Sequence, residues 1–268
     1  MEREQKGEVA SDKNLFLNFF IFSPKFPEKP KIHRFIEVFV CELSMEERMR
    51  ECLYEMPRIP LMTNGNDDGK TVYALEGLNG VGKSTVINSI TSDYDDIRTI
   101  YSVPDVMLSS SEIKHFVLEN EEPLLGAFFY LSGTMAAAGQ IKDMGEKTVV
   151  MDRSLWSTLA AAYSKDETTL PVLAGTLELV KDKVRFPDKI IVLRATFESC
   201  LERIGKKSSG QEFDKDTEEI FYKKYRFYDI LKESGYPVVF VDTDGKSAEE
   251  VCGMVKDIID TDEPSVLS

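Results

Sequence analysis

The chain of 268 residues is poor in cysteine, short of cations relative to acids and, read as a sequence, without a long unbroken apolar run. Its four cysteines, Cys41, Cys52, Cys200 and Cys252, form no C-x-x-C pair. That scatter offers neither a zinc site nor a disulfide framework, and it fits a reducing compartment. Lys and Arg number 33 against 47 Asp and Glu, a formal net charge of -14. A general nucleic-acid binder has a basic footprint, so this balance argues against that class; a few local cations and backbone N–H groups can still hold phosphate. No run approaches the roughly eighteen apolar residues that cross a bilayer. The nearest, LFLNFFIF from Leu15 to Phe22, is broken by Asn18 and preceded by Glu2, Glu4, Glu8 and Asp12. A secretory n-region is net positive and a mitochondrial presequence is poor in acids, so there is no convincing targeting segment. An edge strand or a partner-packing segment is expected there, and a cytoplasmic or mitochondrial location for the protein.

What is present is ordinary globular composition, and its organisation changes near residue 70. Residues 1–70 read as an irregular extension: the aromatic run, a proline-rich stretch (Pro24, Pro27, Pro30), then IHRFIEVFVCEL. Ser44 and Glu47 have the S-x-x-E spacing of a capping box, opening one helix to about Met56. TNGNDDGK (63–70) is a turn-rich linker. Residues 71–268 are regular. Short β-rich runs at 71–76, 97–103, 147–152, 188–194 and 237–242 alternate with helical stretches at 83–92, 124–145, 155–164, 171–183, 196–205, 214–234 and 247–260. Near-continuous apolar strands between helices describe an α/β domain, a parallel sheet covered on both faces. Right-handed crossovers then bring every strand's C-terminal end to one rim, where chemistry is expected.

The strongest motif is Gly77-Leu78-Asn79-Gly80-Val81-Gly82-Lys83-Ser84, a full G-x-x-x-x-G-K-[ST] match between an apolar strand and a helix start. Such a loop turns successive N–H groups toward phosphates, with Lys83 as a point charge and the Ser84 hydroxyl as a Mg²⁺ ligand. Asp152-Arg153 directly follows the strand TVVM, placing a carboxylate for metal and a guanidinium for phosphate on the same rim. Arg203, Lys206 and Lys207, inside ERIGKKSSGQE, read as a basic lid. Phe128, Phe129, Tyr130 and Trp156 are aromatic enough to stack on a base, although core packing is the ordinary role for any one of them.

These segments resemble the thymidylate-kinase-like nucleoside monophosphate kinases: LEGLNGVGKST (75–85), VVMDRSLWSTLAAAY (149–163), the Phe-bearing helix PLLGAFFYLSGTMAAAGQI (123–141) and a basic lid before EIFYKKYRFY (219–228). Within that family FFYLSGTMAAAGQI and DRSLWSTLAAAY are most similar to the mitochondrial UMP-CMP kinase branch. The resemblance implies a P-loop kinase fold with a five-stranded parallel sheet in the order 2-3-1-4-5. It also implies transfer from ATP to a pyrimidine nucleoside monophosphate, with Mg²⁺. The partners would be small-molecule nucleotides, with no nucleic acid and no membrane, and a homodimer is compatible. By the same resemblance Lys83 and Ser84 hold the donor phosphates and Mg²⁺, with Gly77, Asn79, Gly80, Val81, Gly82 and Thr85 completing the nucleotide loop. Asp152 positions metal or acceptor, Arg153 grips the acceptor phosphate, Phe128 stacks on the base, Asn79 and Ser157 lie on the acceptor side, and Arg203 begins the lid.

The sequence departs from the family pattern in four places. Gly80 stands where some members carry an arginine, and Asn79 where Asp is usual. The segment TIYSVPDV lacks the usual Arg, with Lys114 the nearest cation beyond it, and Ser132 and Gly133 occupy the place of a base-reading Arg. These departures put strict thymidylate specificity in question. Two other classes stay open: a deoxynucleoside kinase, with Glu76 before the P-loop as an optional base, and a non-catalytic nucleotide-binding module. A GTPase is disfavoured because no N-K-x-D motif follows the P-loop.

Overall fold

Five runs of mostly aliphatic and β-branched residues become parallel strands: β1 (Thr71–Glu76), β2 (Ile97–Tyr101), β3 (Thr148–Asp152), β4 (Lys189–Arg194) and β5 (Val238–Asp242). They pair in the order β2-β3-β1-β4-β5, as expected. The interior strands β1, β3 and β4 are buried at almost every position and the outer two only in part. This is why the interior strands read as unbroken apolar runs. The computed structural model describes residues 44, 46–47, 49–50, 69–109, 111–119, 122–165, 169–206 and 217–262.

The helices are α1 (Lys83–Asp93), α2 (Asp105–Leu108), α3 (Ser111–Glu119), α4 (Pro123–Asp143), α5 (Leu155–Lys165), α6 (Thr169–Val180), α7 (Phe197–Lys206), α8 (Glu218–Glu233) and α9 (Ala248–Asp262). The sequence reading passes over α2 and α3, which are too short and too interrupted by serine to show a clear 3.6-residue period. It also starts α8 too early: the Thr217 hydroxyl accepts from Ile220 N at 3.3 Å and sets the helix start.

Alternate strand residues face opposite sides of the sheet. Val72, Val149 and Met151 pack with Ala137 and Ile141 of α4 in one cluster, while Tyr73, Leu75 and Val150 belong to the larger cluster with α1, α5 and α8. One correction falls on α4. It is long and apolar enough to cross a bilayer by composition, contrary to the reading of the sequence, but its Ala127, Leu131, Ala137 and Ile141 are core residues here.

The capping box forms as expected: Ser44 N donates to Glu47 Oε2 at 2.8 Å, and Glu47 N donates to Ser44 Oγ at 3.2 Å. The turn that follows is docked on the domain. Met49 is fully buried in the main core, Glu46 pairs with Arg226 and Arg50 with Glu233, both on α8. The Leu15–Phe22 run, the proline-rich stretch, IHRFIEVFVCEL, the helix beyond Arg50 and most of the 63–70 linker lie outside the described residues.

Candidate active site

Strand β1 delivers its last residue, Glu76, to the rim, and the loop Gly77–Gly82 turns there into α1. Gly80 has φ +87, and a Cβ on it would lie 2.7 Å from the Cys200 carbonyl oxygen and 3.0 Å from Cys200 Cα of α7. Backbone cannot yield to that extent, so α7 packed on the loop leaves room for glycine alone. The same contact explains the absence of an arginine at this position. Val81 is buried beneath the loop, and Ser84 and Thr85 are exposed at the start of α1. No side chain caps α1 and no acid sits in its first turn. Its N–H groups and positive dipole end are left for an anion.

Lys83 is not an exposed loop lysine. It is buried, and its Nζ donates to the carbonyls of Gly77 at 2.9 Å and Leu78 at 2.8 Å. Burial, then the facing charge of Arg153, push its ammonium down to about 7, against the acids Asp152 and Glu76. Two cations held near one another favour an anion between them.

Strand β3 ends at Asp152, in register with Leu75 of β1 and Tyr101 of β2. Its Oδ1 is buried and has no hydrogen-bond partner among the described residues. Such an oxygen fits a cation or a coordinated water better than it fits an ordinary strand end. Next comes Arg153, whose φ of +66 makes it the one non-glycine with positive φ among the described residues. That conformation costs about 1–2 kcal/mol and is held only where neighbours impose it. Here Arg153 N donates to Leu75 O at 3.0 Å. Its guanidinium reaches Gly77 O at 3.2 Å, Asn79 Oδ1 at 2.9 Å and Ser157 Oγ at 3.4 Å. The neutral Asn79 therefore still anchors the arginine, through its amide oxygen.

Under this pair lies a group given no place in the phosphate-transfer site by the sequence reading. Glu76 is fully buried, and its Oε1 accepts from Ser154 N at 2.8 Å and Ser154 Oγ at 2.6 Å. Its Oε2 accepts from Ser157 Oγ and from Tyr228 Oη, the latter at 3.0 Å. Burial pushes the Glu76 carboxyl up, against these bonds and the charge of Arg153. The signal was legible: an acid ends the otherwise apolar strand TVYALE, and serines lie two and five residues after Asp152.

Arg203 is the residue with which the lid is expected to begin. It belongs to the body of α7, and its guanidinium donates to Thr243 Oγ1 at 2.8 Å, Thr243 O at 2.9 Å and Asp244 Oδ1 at 3.4 Å. These bonds tie α7 to the loop after β5 and leave little of the fork for transferring phosphate. Lys206 is exposed and paired with Glu202; Lys207 and the rest of the 207–216 segment lie outside the described residues. Phe128 is 40% exposed on α4, whereas Trp156 is buried against Tyr236 and Phe186 and is a core residue. A Cβ on Gly133 would come within 2.7 Å of Val103, so the loop after β2 packs directly on the helix where an arginine was sought. Lys114 lies on α3.

A thymidylate kinase family model matches residues 75–254. No curated protein sequence matches the chain. Among solved structures, thymidylate kinase from Candida albicans is 21% identical, with 72% of this chain and 92% of that chain covered and a TM-score of 0.55. Deoxyadenosine kinase from M. mycoides with bound dATP is 16% identical, with 71% and 100% covered and a TM-score of 0.57. These two likenesses establish the fold, a P-loop kinase sheet in the order observed. The span of the family match, laid over a complete P-loop and an Asp-Arg pair on one rim, places this chain in the thymidylate kinase family and makes it a nucleoside monophosphate kinase, a nucleotide-using phosphotransferase.

Proposed function

We propose that the protein transfers the γ-phosphoryl group of ATP to the phosphate of a pyrimidine nucleoside monophosphate, of the kind handled by the UMP-CMP branch that its α4 and α5 segments resemble. One observation carries the choice of acceptor: Arg153, in its left-handed conformation, is fastened to the first residues of the P-loop through Gly77 O and Asn79 Oδ1. A guanidinium so placed stands beside Lys83, giving one cation to each of two phosphates that must meet. A phosphate acceptor is already an anionic nucleophile and needs no base. A neutral hydroxyl acceptor does need one, and Glu76, buried and accepting from four donors, has no free face toward the rim.

In this reading the loop N–H groups and Lys83 hold the β- and γ-phosphates of ATP. Arg153 aims an acceptor phosphate oxygen at the γ-phosphorus. That oxygen forms the new P–O bond as the bond to the β–γ bridging oxygen breaks, and ADP leaves. Ser84 and Asp152 would hold Mg²⁺, which the free Asp152 Oδ1 and the exposed Ser84 hydroxyl fit; when bound, it neutralises charge on the phosphate oxygens. Phe128, exposed on α4, is the surface offered to the acceptor base. The catalytic work is positioning and charge neutralisation.

A coupled ADP-release assay over UMP, CMP, dUMP, dCMP and dTMP, and over the matching nucleosides, tests the proposal. Turnover with one or more monophosphates and none with nucleosides is expected. Turnover with thymidine or deoxycytidine alone would overturn it in favour of a nucleoside kinase, and no turnover with any acceptor would favour a binding module.

A further inference from the structure

The buried carboxylate of Glu76 is used by no step above, yet it organises the segment that carries Arg153. The strained residue is fixed on both sides: its own N–H is bonded to Leu75 O, and the next N–H, that of Ser154, is bonded to Glu76 Oε1 at 2.8 Å. Ser154 Oγ bonds the same oxygen at 2.6 Å. The second oxygen takes the Ser157 hydroxyl, and Ser157 Oγ in turn accepts from Arg153 NH1 at 3.4 Å. Leu75 and Glu76 are consecutive residues of the central strand, so strand β1 holds the backbone around Arg153 from both sides. Four donors converge on the two oxygens, the number that an ionised carboxylate can satisfy.

We infer that Glu76 is a positioning residue for phosphoryl transfer, holding Arg153 through Ser154 and Ser157 in the left-handed conformation that points its guanidinium at the acceptor side of the P-loop. The inference rests on the reading of Arg153 as the acceptor-phosphate clamp. It adds a requirement that the P-loop motif does not contain: the residue before the first glycine is an acid because of Arg153. Tyr228, the fourth donor, holds the carboxylate from α8 and has no bond to Arg153 in this network.

Glu76→Gln keeps the shape, and its remaining carbonyl oxygen can still accept from Ser154 N, but the charge is lost. The expected result is a rise of about tenfold in KM for the monophosphate, with KM for ATP changed less than about twofold. Ser157→Ala, which cuts the side-chain route and leaves the carboxylate in place, should give a smaller rise of the same kind. The deciding measurement is a double-mutant cycle. In an Arg153→Ala background Glu76→Gln should add less than about twofold, because the group it positions is gone. Additive losses, equal losses on ATP and acceptor, or an unchanged acceptor KM in a folded Glu76→Gln would each overturn the inference. Should Glu76→Gln not fold, Ser157→Ala against Arg153→Ala decides by the same criterion. If Arg153→Ala by itself spares the monophosphate reaction, what fails is the reading of Arg153, distinguishable because that variant is measured alone.

Discussion

Replacing Lys83 tests the donor half of the site, and the structure changes what the test looks like. The ammonium is buried, bonded to the Gly77 and Leu78 carbonyls, and its proton affinity is lowered to about 7 by burial and by Arg153. Phosphate binding requires the charged form. With a value near 7, the charged fraction of empty sites falls from about one quarter at pH 7.5 to about 3% at pH 8.5. ATP affinity should therefore weaken about eightfold over that unit of pH, while bound ATP draws the proton back. Calorimetric titration of ATP at pH 8 in buffers of different ionisation enthalpy should show uptake of close to one proton for each ATP bound. Lys83→Met should abolish both the uptake and the pH dependence. It should also slow transfer by about 10²- to 10³-fold, the loss of one preorganised cation of about 3–4 kcal/mol at the transition state. An ATP affinity that is flat between pH 7.5 and 8.5 in the wild type, with no proton uptake, would refute the argument. Unchanged turnover in Lys83→Met would refute the role of the residue altogether.

Arg153→Ala should lower kcat/KM for monophosphates by about thirty- to a thousandfold, some 2–4 kcal/mol, with ATP binding little changed; Arg153→Lys should recover only part, since a point charge lacks the planar fork, and steady-state kinetics in both substrates will show it. Gly80→Ala should greatly weaken ATP binding, read by calorimetry, because its Cβ would meet the Cys200 backbone at 2.7 Å and α7 would have to move. A chain starting at Gly69 should fold but lose the fully buried Met49, so it should unfold about 2–5 kcal/mol more readily, a drop in Tm of several degrees that Met49→Ala in the full chain reproduces. An unchanged Tm in that variant would show that the Met49 contact contributes nothing.

Much of this protein follows from local sequence. The strands are apolar because both faces of the sheet are covered, so β1, β3 and β4 stand out as runs that no helix period explains. The P-loop is legible for the same kind of reason: its glycines and Lys83 are consecutive, and the chemistry of a phosphate loop lies within eight residues. The neighbouring Asp152-Arg153 is read as easily because it closes a strand on the same rim. The capping box at Ser44 is likewise a matter of spacing alone.

What only the tertiary structure decided involves partners far apart in the chain. Lys83 is buried and feels the charges of Arg153, Asp152 and Glu76, and no stretch near position 83 announces Asp152 or Arg153. Arg203 looks like a free lid cation in sequence, but Thr243 and Asp244, about forty residues on, take its guanidinium. Gly80 stands where some family members carry an arginine and Gly133 where a base-reading one is expected, and Cys200 and Val103 press against them, contacts that exist only once α7 and the loop after β2 are packed. Met49 is buried in the main core beside Glu46 and Arg50, whose ion-pair partners lie on α8, far along the chain. Periodicity reports which face of an element is covered; it cannot report by what, since burial and ion pairing are set by residues brought together across the fold.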